Sequence, residues 1–347
     1  MKYRYLGSSG LLVSRITLGT MTFGAADWGC DESEAHVIIK EYLDAGGNHL
    51  DSADVYAGGR SEEIVGSFLA QINRDEVVVA SKCYFPVGQK PNSYGLSRKH
   101  IMASCEASLK RLKTNYIDLY YIHAPDPIAP LEESMRAMDD LVRQGKVRYV
   151  GCSNLFGWQI AKASGISAKM GLENLIAGQY IYSLAHRELE REVIPAAVDQ
   201  GLGLMCYSPL GGGLFTGKYK GQTEPAKGTR ISFRTQVDGP RFWHPKGFKT
   251  AELLDKVSSV TGIPMYKLAI AWPLKRKFVA SVIIGVRSHE QVKANMEMGD
   301  WDMPDDTWKA LEEQTRLEEE YLTLFNKQSY TMFFSAGEFH EESAELL

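Results

Sequence analysis

Short apolar runs recur along the chain, separated by longer stretches in which apolar positions repeat every three or four residues. The runs, at residues 16–19, 48–50, 77–80, 117–122, 148–151, 175–178, 204–207 and 280–284, are rich in Val, Ile and Leu and carry no polar face. Strands that are apolar on both sides belong in a parallel sheet covered on both sides. The intervening stretches predict helices over 31–45, 60–71, 97–112, 131–144 and 187–200. Ser97 is placed to cap the third of these, and Asp31 with Glu34 has the spacing of a capping box. Gly145 and Gly201 stand where helices end on a left-handed residue. Eight such strands alternating with helices predict an α/β fold of the (β/α)8, or TIM barrel, type. Residues 3–6 and 11–13, joined by Gly7-Ser-Ser-Gly10, read as an N-terminal β-hairpin that closes the barrel's bottom.

Two segments fall outside the alternation. Residues 218–250 follow the seventh strand, are rich in Gly, Pro, Arg and aromatic residues, and read as a long functional loop on the C-terminal face. Residues 318–347 form a C-terminal extension. Its aromatic residues, among them Tyr321, Phe325, Tyr330, Phe333 and Phe334, suggest packing on the body, and residues 338–347 are expected to fray. No linker or change of composition divides the chain, so residues 1–347 read as one domain with a core of about 1–315.

Composition narrows the function. The 347 residues carry a net charge of -4, from 39 basic and 43 acidic residues, which argues against a nucleic-acid surface. No apolar run approaches the ~20 residues of a membrane span, and residues 1–7 lack the apolar core of a secretory signal. Five scattered cysteines without a Cys-x-x-Cys pair suggest reduced thiols, so a cytoplasmic location is expected.

Chemistry gathers at the strand ends. Asp51 and Tyr56 lie in the stretch Asn48-His-Leu-Asp-Ser-Ala-Asp-Val-Tyr-Ala-Gly-Gly59, Lys82 follows the third strand, and His123 follows the fourth. In this fold such positions converge on one face. A phenol near pKa ~10 is a weak acid at neutral pH. The Lys82 ammonium would lower that value, and Asp51 would hold Lys82 charged and in place. A lowering by ~3 corresponds to about 4 kcal/mol. His123 would orient an oxygen beside Tyr56. The group suits protonation of a carbonyl oxygen while hydride arrives at carbon. Taken singly, each residue is equally at home in a salt bridge, a core or a loop; four of them on one barrel face are not. A metal hydrolase would need further His, Asp or Glu ligands at the strand ends, and only Asp51 and His123 offer themselves. No metal is expected.

Asp51-Ser-Ala-Asp-Val-Tyr56, Ala80-Ser-Lys82 and Tyr121-Ile-His123 resemble the aldo-keto reductase superfamily, and the resemblance runs over about residues 1–315. Ala57-Gly-Gly59, residues 95–101 and Pro125-Asp-Pro127 resemble the branch of potassium-channel β subunits and their bacterial relatives. The resemblance implies Tyr56 as general acid, Lys82 and Asp51 as its tuners, and His123 as the group orienting the carbonyl. It implies Ser153, Asn154 and Gln179 at a nicotinamide carboxamide, with Gly19, Thr20 and Met21 also beside the cofactor. Tyr207 would stack on the nicotinamide ring, and Ser208, Leu210, Gly212 and Lys218 would line a pyrophosphate loop. Gly285, Arg287, Gln291 and Asn295 match the adenosine-phosphate segment, although many members carry a lysine where Gly285 stands. An arginine beside Ser288 suits a 2′-phosphate, so NADP(H) is favoured over NAD(H), with dual use left open. Lys293 reads as an exposed surface charge. No G-x-G-x-x-G follows a first strand, which disfavours a Rossmann cofactor domain.

The expected pocket walls are Met21, Phe23, Trp28, Tyr84, Phe85 and either Phe242 or Trp243. Walls of that kind favour a bulky aryl or cyclic aldehyde or ketone as the small-molecule substrate. The rival function is a nucleotide-sensing regulatory β-type subunit with low turnover. An oligomer is compatible with either. Neither a nucleic acid nor a membrane is expected as partner.

Overall fold

Parallel pairing carries the chain eight times from the bottom of a barrel to its top. The computed structural model describes residues 1–333. Strands β1 (Tyr3–Tyr5) and β2 (Leu12–Ser14) pair antiparallel, with Arg4 opposite Val13. The barrel strands follow: β3 (Ile16–Gly19), β4 (His49–Asp51), β5 (Val78–Cys83), β6 (Ile117–Ile122), β7 (Val147–Ser153), β8 (Leu175–Ile181), β9 (Gly203–Tyr207) and β10 (Val279–Gly285). They close in the order β10-β3-β4-β5-β6-β7-β8-β9. This is the (β/α)8 barrel that the alternation of apolar runs predicts.

Two apolar layers hold it. The larger lies between strands and helices and contains residues such as Ile38, Ile39, Leu50, Val65, Ile101, Leu141 and Trp272. The smaller fills the barrel: Ala80, Leu119, Tyr121, Ala177, Met205 and Ile283 meet Leu6 and Val13 of the hairpin. The hairpin is therefore the floor of the barrel. Arg4 fastens it there, its guanidinium donating to the carbonyls of Leu274, Arg276 and Val279.

Most predicted helices stand, with adjusted ends. Asp31 caps Glu32–Asp44 and accepts from the Glu34 amide at 2.9 Å, but the capping box is incomplete because the Glu34 carboxylate reaches the His289 amide instead. Ser97 caps Arg98–Leu112, and Gly145 and Gly201 have φ of 71° and 76°. The predicted helix 187–200 is broken into a turn at Glu188–Glu190 and a helix over Val193–Asp199. Pro195 explains the break, since its ring would clash with the carbonyl four residues earlier in a longer helix. The 218–250 segment is less of a loop than its composition suggests. It contains helices at Arg230–Phe233 and Thr235–Phe242, and Pro245–Thr261 begins within it. The extension forms a helix over Tyr321–Phe333, yet Tyr321 is 73% and Phe325 51% exposed, so those rings do not pack on the body. Residues 338–347 lie outside the described residues. The five cysteines are free thiols, four of them buried. Among the described residues no helix is long and apolar enough to cross a membrane.

Candidate active site

The register of the barrel decides what meets at its top. Asp51 pairs with Ala80, Lys82 with Tyr121, Tyr121 with Gly151, and Ser153 with Gln179. Asp51, Lys82 and Ser153 are therefore ladder residues at the C-terminal ends of β4, β5 and β7, not residues beyond them. The ladder holds their backbones, so their side chains are aimed by the sheet and not by loops.

Lys82 is fully buried and Asp51 is 2% exposed. The Lys82 Nζ donates to Asp51 Oδ1 at 2.6 Å and to the Ser52 carbonyl at 2.6 Å, and lies 3.4 Å from the Tyr56 hydroxyl. Burial alone would push the ammonium down, but Asp51 and Tyr56 outweigh it and Lys82 is raised above its ordinary value. It is a fixed cation. The His123 ring crosses that of Tyr56 edge to face, with centroids 6.0 Å apart. Burial, then the Lys82 charge, holds His123 well below its ordinary value, so its imidazole is neutral. Its Nδ1 is enclosed without a partner, leaving Nε2 as the edge open to a ligand.

Tyr56 corrects the expectation drawn from charge alone. Lys82 pulls the phenol down as anticipated, but burial raises it more, and the net direction is upward. At neutral pH the residue is thus a protonated donor with a cation beside it. Ionisation is confined to alkaline solution. The alkaline limb of kcat/KM for carbonyl reduction should accordingly lie above the ordinary tyrosine range; a limb at or below neutrality would contradict this geometry.

The groups assigned to a carboxamide stand together and are bonded to one another. The Tyr207 hydroxyl donates to Asn154 Oδ1 at 2.9 Å, and Asn154 Nδ2 donates to Ser153 Oγ and to the His123 carbonyl. Ser153 Oγ donates to the Gln179 carbonyl. Gln179 does something not anticipated: its amide donates to Asp51 Oδ2 at 2.8 Å and so fixes the second oxygen of the Lys82 partner. Asn154 and Ser208 hold left-handed φ of 60° and 56°, an uncommon conformation outside glycine that marks constrained positions.

Beyond Tyr207 the chain turns through Leu210 into Gly211, Gly212 and Gly213, at φ 55°, 65° and 98°. Lys218 folds over the turn, with its Cε and Nζ 2.5 Å from where a Cβ on Gly213 would lie, and the φ of 98° at Gly213 is one that side chains rarely adopt. Lys218 and Arg287 have no carboxylate partner among the described residues. Partial burial, with Arg287 and Arg230 nearby, pushes the Lys218 ammonium down. Arg287 is exposed, its amide donating to Gln291 Oε1 and its guanidinium to the Gly228 carbonyl. Asn295 is 6% exposed, and Lys293 pairs with Glu41 on the surface as expected. A side chain at Gly285 would meet nothing within 4 Å, so space does not explain why no lysine stands there.

Two expected pocket walls are withdrawn. Phe23 is fully buried in the core and cannot wall a pocket, and Phe242 is 1% exposed. Trp243, the alternative to Phe242, is half-buried and packs edge-on against Tyr219 and Phe248, at centroid distances of 5.3 and 4.9 Å. The Thr20 hydroxyl is fully buried between Ser61 and the Asp51 carbonyl, and Gly19 is pressed against Ile283, so neither presents a side chain to a ligand. Met21 is half-buried. Phe85 does face the site, with its ring 4.9 Å from that of His123, and Tyr84 lies edge-on to Phe85 at 5.0 Å. Trp28 is half-buried beneath the Arg234 guanidinium, 5.3 Å away. The sequence reading missed Arg230 and Arg234, both bonded to the buried Asp238. Their spacing of four, 230-234-238, is a one-face helical pattern that was visible in the chain. Among the described residues no group of three His, Cys, Asp or Glu could hold a metal.

Residues 15–316 match the description "Aldo/keto reductase family". The chain belongs to the aldo/keto reductase family. It is similar to an uncharacterized oxidoreductase of Bacillus subtilis, 38% identical over 338 residues that cover 94% of this chain and 95% of that one. It is similar to a protein of Oryza sativa described as a probable voltage-gated potassium channel subunit beta, 37% identical over 308 residues that cover 86% and 90%. It is also similar to the versiconal hemiacetal acetate reductase of Aspergillus parasiticus, 36% identical over 298 residues that cover 79% and 85%. Members of this family generally use nicotinamide cofactors. The residues present fit such a group: a turn of three left-handed glycines, two cations without a carboxylate partner among the described residues, and an amide–phenol pair where a carboxamide would be read.

Proposed function

We propose that the protein reduces a bulky aryl or cyclic aldehyde or ketone to an alcohol at the expense of NADPH, with Tyr56 as proton donor. The observation that carries this reading is the line Asp51–Lys82–Tyr56, a buried carboxylate, a buried cation and a phenol in contact, with a neutral imidazole beside it. When bound, the nicotinamide would supply hydride. Everything else falls to the chain. The Tyr56 hydroxyl gives its proton to the substrate oxygen, and Lys82 offsets the negative charge left on the phenol. Asp51, held by Gln179 on its other oxygen, keeps Lys82 in place. His123 Nε2 donates to the same substrate oxygen and orients it. Ser153, Asn154 and Tyr207 would hold the nicotinamide end, and the Gly211–Gly213 turn with Lys218 the pyrophosphate. Phe85, Tyr84 and Trp28 supply aromatic walls, which support a ring-bearing substrate. A panel of carbonyl compounds tests this: turnover of aryl aldehydes above short sugars is expected, and turnover of short sugars alone would refute it.

For the 2′-phosphate the reading rests on Arg287, an exposed guanidinium with no carboxylate partner among the described residues. Arg287→Ala should weaken NADPH binding by roughly 10–100-fold, as loss of a hydrogen bond between charged groups does, and NADH binding far less. Equal losses in titration calorimetry would mean that Arg287 does not read the phosphate. The channel-subunit relative gives the second reading, a nucleotide sensor with little turnover. The intact four-residue site favours the reductase.

A further inference from the structure

The loop that carries Tyr56 holds a second acid that the reaction does not use. Asp54 is fully buried, two positions before Tyr56. Its side chain reaches the helix layer, where Ser104 Oγ of Arg98–Leu112 donates to its Oδ2 at 2.6 Å. Its Oδ1 is buried with no partner. The titratable groups facing it come from every neighbouring element. Helix Arg60–Leu69 contributes Glu62, also fully buried and already paired with Arg111 Nε at 2.7 Å. Helix Arg98–Leu112 contributes that Arg111, β5 contributes Cys83, and β6 contributes Tyr120; Cys105 of the same helix lies beyond them, against Cys83 and Tyr120. The Tyr120 hydroxyl is likewise buried without a partner. The Arg111 guanidinium is bonded to Glu62, and only its field reaches Asp54.

A carboxylate in such a place is disfavoured, whereas the neutral acid is not. Burial raises Asp54 to about 7, opposed by the Ser104 bond and the Arg111 charge and reinforced by Glu62. The backbone ties this side chain to the donor. The Asp54 amide bonds the Lys82 carbonyl at 3.3 Å and the Tyr56 amide bonds the Ala53 carbonyl at 3.1 Å. The Tyr56 hydroxyl already stands 3.4 Å from Lys82, a separation at which a small displacement removes the contact.

We propose that Asp54 is a positioning residue for Tyr56: as the neutral acid it lets the Tyr56 loop pack against helix Arg98–Leu112, and its ionisation places a second buried charge beside Glu62, which the Ser104 bond offsets only in part, so that the packing loosens and reduction slows. The proposal rests on Tyr56 as the proton donor. It places a step in the neutral range of the kcat/KM profile, separate from the alkaline limb that Tyr56 sets. Across that step the rate should fall roughly tenfold, below the ~10²-fold that a 1 Å misplacement can cost. Asp54→Asn, which keeps the shape of the neutral acid and cannot ionise, should abolish the step while the alkaline limb remains. Glu62→Gln removes the neighbouring charge and should move the step to lower pH. A native profile without a step near neutrality, or a step that persists in Asp54→Asn, would overturn the proposal. Should Asp54→Asn not fold, Glu62→Gln decides alone, and an unmoved step overturns it equally. Failure of the donor assignment looks different: Tyr56→Phe would then keep normal turnover and retain the neutral step.

Discussion

Tyr56→Phe should lower kcat by about 10²–10⁴-fold, the range in which a positioned general acid contributes, and leave NADPH affinity nearly unchanged. The substitution removes one oxygen from a ring whose edge-to-face packing on His123 does not need it. Lys82 keeps its bonds to Asp51 and Ser52, so the surroundings stay intact. The loss should appear in kcat and kcat/KM together, as expected for an interaction made in the transition state. Cofactor binding followed by fluorescence supplies the control. Loss of binding would mean that Tyr56 shapes the cofactor site, and unchanged turnover would mean that another group delivers the proton.

The second large effect is on stability. Lys82→Met removes the cation from a pair in which both members are buried, leaving Asp51 charged with only the Gln179 amide and no counter-ion. Breaking such a pair on one side typically costs ~3–5 kcal/mol, because the remaining charge is uncompensated. Adding Asp51→Asn should return part of that loss, so the double variant is less destabilised than the sum of the two single ones. Denaturant unfolding measures all three. An additive result would show that Lys82 and Asp51 do not depend on each other. Turnover should fall sharply in every one of these variants.

The barrel was legible because its strands are apolar on both faces, a pattern few other architectures produce. The convergence of Asp51, Lys82 and His123 followed from the same pattern, since parallel strands deliver their C-terminal ends to one side. What could not be read was depth. Phe23 and Phe85 both follow strands and are both aromatic, yet one is core and the other faces His123; only the path of the loops distinguishes them. Depth also reversed the net direction at Tyr56, where the sign of the Lys82 effect was clear from charge and the size of burial was not. The Gln179–Asp51 bond crosses the barrel between residues 128 apart in sequence, and no local signal marks it. Arg230, Arg234 and Asp238 were obscured by their Gly- and Pro-bearing surroundings, although their spacing was helical. The extension shows the opposite failure: Tyr321 and Phe325 stack on each other, 5.9 Å apart, and stay exposed.

Whether this four-residue site turns over or merely senses a nucleotide is the question on which the account stands. Steady-state consumption of NADPH with 4-nitrobenzaldehyde answers it most directly. The account predicts many turnovers per protein molecule, abolished by Tyr56→Phe. Tight NADPH binding with no more than a single turnover, by the native protein and across a panel of aryl and cyclic carbonyl compounds, would contradict it.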